Sequence, residues 1–292
     1  MAKNWDVIGH QNITKYLDNC LERNRLVNTY LFYGNKHLGK TTVANKFAEK
    51  LLNNDGKVST DLFELKLEDD SKVITIEQVR DWQRWLSLKS FSGGYKVGII
   101  HEMETLNRQS ANALLKTIEE PSLNTIIILI SSAWQELLPT IVSRAQKIHF
   151  LTVPNKELKE ELSNKEVSQD KMDKIIDFSL GKPGLALKFI EDSEFFDEYL
   201  KLDEEIGKVT ELRLAQRFKF IENYLTGKTL QDNNILANNI LKHLEFNLRK
   251  RLLNQLDDIK LFNALTKLED SKKLLKYNIK PQLVLENLFI NI

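Results

Sequence analysis

The sequence predicts an α/β phosphate-loop domain on a parallel sheet, followed by a small helical lid and an all-α C-terminal region. Three observations carry this. The apolar run Tyr30-Leu31-Phe32-Tyr33 leads into Gly34-Asn35-Lys36-His37-Leu38-Gly39-Lys40-Thr41, and residues 42–52 continue with helical periodicity, giving strand, loop and helix in order. Short apolar runs at 95–100 and 126–130 alternate with amphipathic segments, as buried parallel strands do. Beyond Pro154 only helical periodicity remains.

The loop comes first because its chemistry is the most specific. A phosphate chain carries clustered negative charge, and Gly34 and Gly39 let the backbone turn so tightly that successive N–H groups point at it. The N-terminus of the following helix adds partial positive charge. In the spacing G-x4-G-K-[ST], Lys40 reaches the outer phosphates and the Thr41 hydroxyl holds Mg²⁺. Gly34, Asn35, Lys36, His37, Leu38, Gly39, Lys40, Thr41 and Thr42 are therefore candidates to bind ATP or ADP with Mg²⁺. The competing reading is a glycine turn with an unrelated lysine; the flanking strand and helix favour the phosphate loop.

At 292 residues the chain exceeds a single core, and its pattern divides at 1–153, 154–192 and 193–292. Lys plus Arg number 42 against 41 Asp plus Glu, so no global charge draws the chain to nucleic acid or membrane and any DNA contact needs a local patch. Cys20 is the single cysteine, which excludes an internal disulfide framework and a multi-cysteine zinc site and fits an intracellular, cytoplasmic protein. Met1 to Asp6 contain no apolar run of the kind a signal peptide needs, and no stretch approaches eighteen apolar residues.

In chain order, Ile13, Tyr16, Leu17, Cys20 and Leu21 mark a helix over 12–23, with Cys20 a core residue rather than a reactive thiol. Asn53-Asn54-Asp55-Gly56 breaks the pattern, and 61–67 reads as a short strand. Thr75 and Gln78 form a capping box that opens a helix carrying Ile76, Val79, Trp82 and Leu86. Trp82 and Trp85 match that stripe better than a base-stacking platform. Ser92-Gly93-Gly94 turns into the strand 95–100, which ends in His101-Glu102; ligands sit at such strand ends, where Glu102 is placed to polarise a water or assist a metal. A helix over 107–118 stops at Glu119-Glu120-Pro121. The strand 126–130 ends in Ser131-Ser132, hydroxyls that suit a phosphate or an attacking water and equally suit capping the next turn. A short helix over 137–144 ends in Arg144, and 148–150 returns as a strand. Lid helices follow at 158–162, 172–178 and 185–190, the last after Gly181-Lys182-Pro183-Gly184. The tail carries apolar stripes such as Phe218, Ile221 and Leu225, then Leu241, Leu244, Leu248 and Leu252, and a last helix after Pro281. Arg249-Lys250-Arg251 reads as a solvated helix face.

This layout, together with Trp5-Asp6-Val7-Ile8-Gly9-His10-Gln11, Tyr30 to Gly34, Tyr95-Lys96-Val97, the run from Ser110 to Pro121 and Ile141-Val142-Ser143-Arg144, resembles the bacterial DNA polymerase III clamp-loader family of AAA+ proteins. The likeness is greatest to the family's delta-prime branch. It covers the first 190 residues with ordered motifs and continues loosely to an end, from Pro281, that looks like the family's oligomerising collar. The resemblance implies that Val7 and Ile8 flank an adenine, and that Arg144 is offered in trans to ATP held by a neighbouring subunit. Its competing reading is a structural ion pair. The implied partners are gamma/tau and delta subunits through the collar, the sliding clamp and primed DNA, with no membrane; Arg108 and Lys116 are candidate backbone contacts in the DNA channel.

Departures from the family pattern bear on activity. Motor subunits end the third strand in Asp-Glu, whereas here the pair is His101-Glu102, and neutral imidazole is a poor ligand for Mg²⁺. Gly184 stands where motor subunits carry a lid arginine, Ala145 replaces the cysteine after Ser-Arg, and the zinc module of many members is shortened to 53–60 without cysteine, so no zinc is expected. The resemblance thus implies a non-motor or weakly hydrolysing loader subunit. The alternatives are a gamma/tau-type loader ATPase and, from another class, a stand-alone AAA+ or STAND-like regulatory ATPase.

Overall fold

Alternation along the strands builds two cores on one sheet. In β1 (Thr29–Tyr33), Tyr30 and Phe32 enter one core and Leu31 the other. β4 (Thr125–Ser131) repeats this, with Ile126, Ile128 and Ile130 on the first side and Ile127 and Leu129 on the second. Both faces of these strands are buried, so they read as continuous apolar runs. β2 (Leu62–Leu65), β3 (Lys96–Ile100) and β5 (Gln146–His149) complete a five-stranded sheet in the order β2-β3-β4-β1-β5, every pair parallel. The structure is a computed structural model that describes residues 5–54, 57–68, 71, 73–209, 212–227, 229–254, 258–277 and 279–291. Met1 to Asn4, and Asp55-Gly56 of the predicted turn, lie outside the described residues.

Helices cover both faces. α1 (Gln11–Glu22) and α2 (Lys40–Leu52) supply Leu17, Val43, Phe47 and Leu51 to the first core, and Cys20 is buried on α1 as the periodicity predicts. α3 (Ile76–Ser87), α4 (Arg108–Glu119) and the short α5 (Pro139–Val142) cover the other face with Val79, Trp82, Leu114, Ile118 and Ile141. The predicted capping box is present: the Thr75 hydroxyl accepts from Gln78 N at 3.3 Å and Gln78 Oε1 accepts from Thr75 N at 2.8 Å. Trp82 is fully buried and lies against Gly98 of β3, where a Cβ would come within 2.4 Å of the indole. Trp85 is only half-buried and carries the Lys96 ammonium 3.9 Å from its ring centroid.

The chain forms two compact units, 1–188 and 189–292. In the first, α6 (Asn155–Leu162), α7 (Gln169–Ser179) and the start of α8 (Pro183–Glu191) follow the sheet. The second is all helical: α9 (Ser193–Val209), α10 (Leu214–Leu225), α11 (Leu230–Asn254), α12 (Ile259–Lys276) and α13 (Pro281–Ile290). Their shared core holds the predicted stripe residues Ile221, Leu225, Leu241, Leu244 and Leu248. Among the described residues no helix is long and apolar enough to cross a membrane.

Candidate nucleotide site

β1 lies between β4 and the edge strand β5, and its carboxyl end emerges on the side of the sheet where ligands of parallel sheets sit. From there Gly34 to Gly39 loop over to α2. The loop is built around close approach: a Cβ at Gly34 would lie 2.3 Å from the Phe150 carbonyl oxygen. Gly39 has φ +84°, the left-handed region that only glycine adopts without strain, and it directly precedes the first turn of α2. Asn35, Lys36, His37, Thr41 and Thr42 are exposed, while Leu38 is buried in the first core and anchors the loop.

Lys40 is buried at the start of α2, and its ammonium donates to the carbonyls of Gly34 at 2.8 Å and Asn35 at 2.7 Å and to Ser132 Oγ at 3.3 Å. Burial pushes its pKa down to about 8, with Glu104 opposing that shift. A buried cation whose donors meet only neutral oxygens is suited to accept an anion. The tightly turned glycine loop and the buried ammonium fit a phosphate chain, held by the loop amides and Lys40. The Thr41 hydroxyl lies exposed on the same helical turn, available to Mg²⁺.

Two parts of the chain hold the loop. His10 Nε2 donates to Leu38 O at 2.7 Å, which fixes its tautomer, and its ring packs edge-on to Phe150 at 4.9 Å. Burial lowers the His10 pKa, with the Leu38 bond opposing. On the other side, Gly184 N, in the first turn of α8, donates to His37 O at 2.9 Å. Val7 and Ile8 are half-buried, Val7 packed on the first core.

At the strand ends the structure separates residues that the sequence presents together. His101 is buried and its Nε2 donates to Glu64 Oε2 of β2 at 2.8 Å; burial lowers its pKa while Glu64 opposes. Glu102 adopts φ +45° and pairs with Lys36 at 3.4 Å, an exposed pair contributing at most about 1 kcal/mol. The carboxylate of Glu104, just beyond, accepts from Ser131 Oγ at 2.7 Å and from Ser132 N at 3.1 and 3.2 Å. Ser131 Oγ also accepts from Ala133 N at 3.1 Å, so the hydroxyl caps the next turn as one of its two readings expects. Sequence reasoning missed Glu104 and His10 as site residues. A carboxylate four residues past the end of β3 was the only available signal for the first.

Arg144 follows α5 on the surface, its side chain 40% exposed. Its guanidinium donates to Thr140 O at 3.1 Å and pairs with Glu119 at 2.7 Å. Arg108 and Lys116 are exposed on α4. Among the described residues no group of three or more His, Cys, Asp or Glu is arranged to hold a metal ion.

A parallel sheet in this order, a phosphate loop after the interior strand β1, and following helices whose start touches that loop define an AAA+ P-loop fold. The sequence pattern of the family described as "DNA polymerase III, delta subunit" matches residues 9–154, half of the chain, and the chain belongs to that family. It is 27% identical over 239 residues to the DNA polymerase III subunit delta' of Bacillus subtilis, covering 76% of this chain and 72% of that one. It is 36% identical over 132 residues to the delta' subunit of Pseudomonas aeruginosa, 39% of this chain and 40% of that one. To the tau/gamma subunit of Haemophilus influenzae it is 32% identical over 187 residues, 56% of this chain but only 27% of the relative's length. Among solved structures, a gamma subunit-related protein of DNA polymerase III from Thermotoga maritima shares the fold with a TM-score of 0.56 and 17% identity, over 94% of this chain and 97% of that one.

Proposed function

We propose that the chain is a delta-prime-like subunit of a bacterial sliding-clamp loader, non-motor or weakly hydrolysing, that assists ATP-dependent loading of the clamp on primed DNA in the cytoplasm. The observation that carries this reading is the state of the strand end beside an intact phosphate loop. Lys40 and the loop fit phosphate, but position 101 offers an imidazole tied to Glu64 where hydrolysis calls for a carboxylate to hold Mg²⁺. ATP or ADP, with Mg²⁺ at Thr41, is held by residues 34–42 and turned over slowly or not at all. Bound nucleotide supplies this chain with a ligand that stiffens loop and lid through His37 and Gly184 rather than with a fuel.

In this reading Arg144 serves the neighbouring subunit. A planar guanidinium neutralises charge developing on a transferred γ-phosphate, and such fingers supply on the order of 10³ to 10⁵ in rate. Its exposure and its place on the rim of α5 support the role, and the pair with Glu119 supplies a resting partner that an incoming triphosphate would replace. The helical unit 189–292 joins the ring to gamma/tau and delta subunits, the clamp and primed DNA being the further partners. Similarity to tau/gamma over 187 residues favours one second reading, a gamma/tau-type ATPase.

One reconstitution tests both. Arg144→Ala is expected to lower ATP hydrolysis by the assembled loader at least about a hundredfold at the affected site, with unchanged assembly on a sizing column. Unchanged hydrolysis refutes the finger. Turnover by this chain alone, lost in Lys40→Ala and close to that of the motor subunit, replaces the proposal with the second reading.

A further inference from the structure

We infer that Glu104 makes this loop selective for nucleoside diphosphates over triphosphates. The inference rests on reading residues 34–41 as a nucleotide-phosphate loop and adds which nucleotide it keeps. Tyr33 lies opposite Ser131 in the sheet, and Gly34 N donates to Ser131 O at 3.3 Å, so the end of β4 borders the start of the loop. On that border the Glu104 carboxylate is pinned by the Ser131 hydroxyl and the Ser132 amide, at 2.7 Å and at 3.1 and 3.2 Å. Ser132 Oγ in turn lies 3.3 Å from the Lys40 ammonium. A fixed negative charge is thus one residue, Ser132, away from the lysine that must meet the far end of a phosphate chain.

The consequence depends on where each phosphate goes. The loop amides and the start of α2 serve the phosphate nearest the loop, which a diphosphate already supplies. The γ-phosphate is the group added toward Lys40 and the strand ends, where it meets Glu104 and has lost the Ser131 hydroxyl as a reader, since that proton is already given to the carboxylate. Magnesium would normally offset such crowding. Here position 101 is an imidazole that donates to Glu64, and Glu102 pairs with Lys36, a partner the ion would have to displace. Glu104 itself has both oxygens engaged by protein donors.

The test is a calorimetric titration of the full chain with ADP and with ATP, each with Mg²⁺ and with chelator, in wild type and Glu104→Gln. Glutamine keeps an oxygen for the Ser132 amide and removes the charge. Wild type is expected to bind ADP about tenfold tighter than ATP, a gap of about 1.4 kcal/mol. In Glu104→Gln, ATP should rise to within about threefold of ADP while ADP affinity holds. Equal affinities in wild type overturn the selectivity and leave the loop reading intact, and this arm needs no variant to fold. An ATP affinity that falls in Glu104→Gln with Mg²⁺ overturns it by making Glu104 a metal ligand. Binding of neither nucleotide overturns the loop reading and the selectivity together.

Discussion

Asp61 is buried at the head of β2, yet its carboxylate faces a surface turn and not the nucleotide site. It accepts from Phe91 N at 2.7 Å, Ser92 N at 2.9 Å, Ser92 Oγ at 2.8 Å and Ser90 Oγ at 3.0 Å, holding the turn from which Phe91 projects 88% exposed. Burial alone would raise its pKa; the four donors outweigh it and hold the carboxyl below its usual range. A depressed carboxylate stabilises the fold above the unfolded aspartate value, about 3.9, and that stability is lost as pH falls through the lower folded value. Asp61→Asn, which turns an acceptor oxygen into a donor facing N–H and O–H groups, should cost about 1–3 kcal/mol at neutral pH. Urea unfolding at pH 7 and at pH 3 checks this, the gap to wild type narrowing at the acid end; an equal gap at both would show that charge plays no part. Residues of this kind mark the limit of sequence reading. Gly34, Gly39 and Lys40 were legible because their chemistry lies in local spacing, whereas Asp61, Glu104 and His10 find their partners 27 to 31 residues away in sequence, which no local pattern encodes.

Elements were legible to the extent that their ends are set locally. The capping box placed the start of α3, and the structure caps α4 at Asn107, whose side chain accepts from Ser110 N at 2.8 Å. Strand 61–67 and helix 137–144 were read too long; β2 spans Leu62–Leu65 and α5 Pro139–Val142. An apolar run continues past the point where the neighbour stops pairing, and pairing is what ends a strand: β2 bonds to β3 only from Leu62 opposite Val97 to Leu65 opposite Ile100. Gly98 was also silent in the sequence, since a glycine inside a strand lowers its propensity without saying what approaches. What approaches is Trp82, whose indole would meet a Cβ at 2.4 Å from one ring carbon and 2.9 Å from another. Gly98→Ala should therefore destabilise the first unit by about 1–3 kcal/mol despite alanine's better strand propensity. A denaturation midpoint that is unchanged or raised would show that α3 can lift away from the sheet at no cost.

At the scale of the whole chain, periodicity foretold a helical second half but not its polar interior. Asp203 accepts from His243 Nδ1 at 3.1 Å and from Asn247 Nδ2 at 3.0 Å among apolar helices, a cluster scattered over forty-odd residues of sequence. That unit keeps its own core, with Ile206, Ile240, Leu244 and Phe289 fully buried, and the sheet's two cores contain no residue beyond 150. Every group placed at the phosphate loop, from His10 through Glu104 and Ser132 to Gly184, belongs to residues 1–188. Nucleotide holding and ring assembly should then separate by truncation. A fragment of residues 1–192 exposes Phe189, which otherwise packs on Phe196 at 5.0 Å and Tyr199 at 4.9 Å, so Phe189→Gln belongs in the design. The fragment should bind ADP within about threefold of the full chain, because no phosphate-facing group has been removed. It should no longer co-elute with gamma/tau and delta subunits, because in the proposed function the helical unit supplies that interface. A fragment with a native circular dichroism spectrum that fails to bind ADP would show that the second unit completes the nucleotide site. One that still joins the ring would move the assembly surface onto the sheet domain.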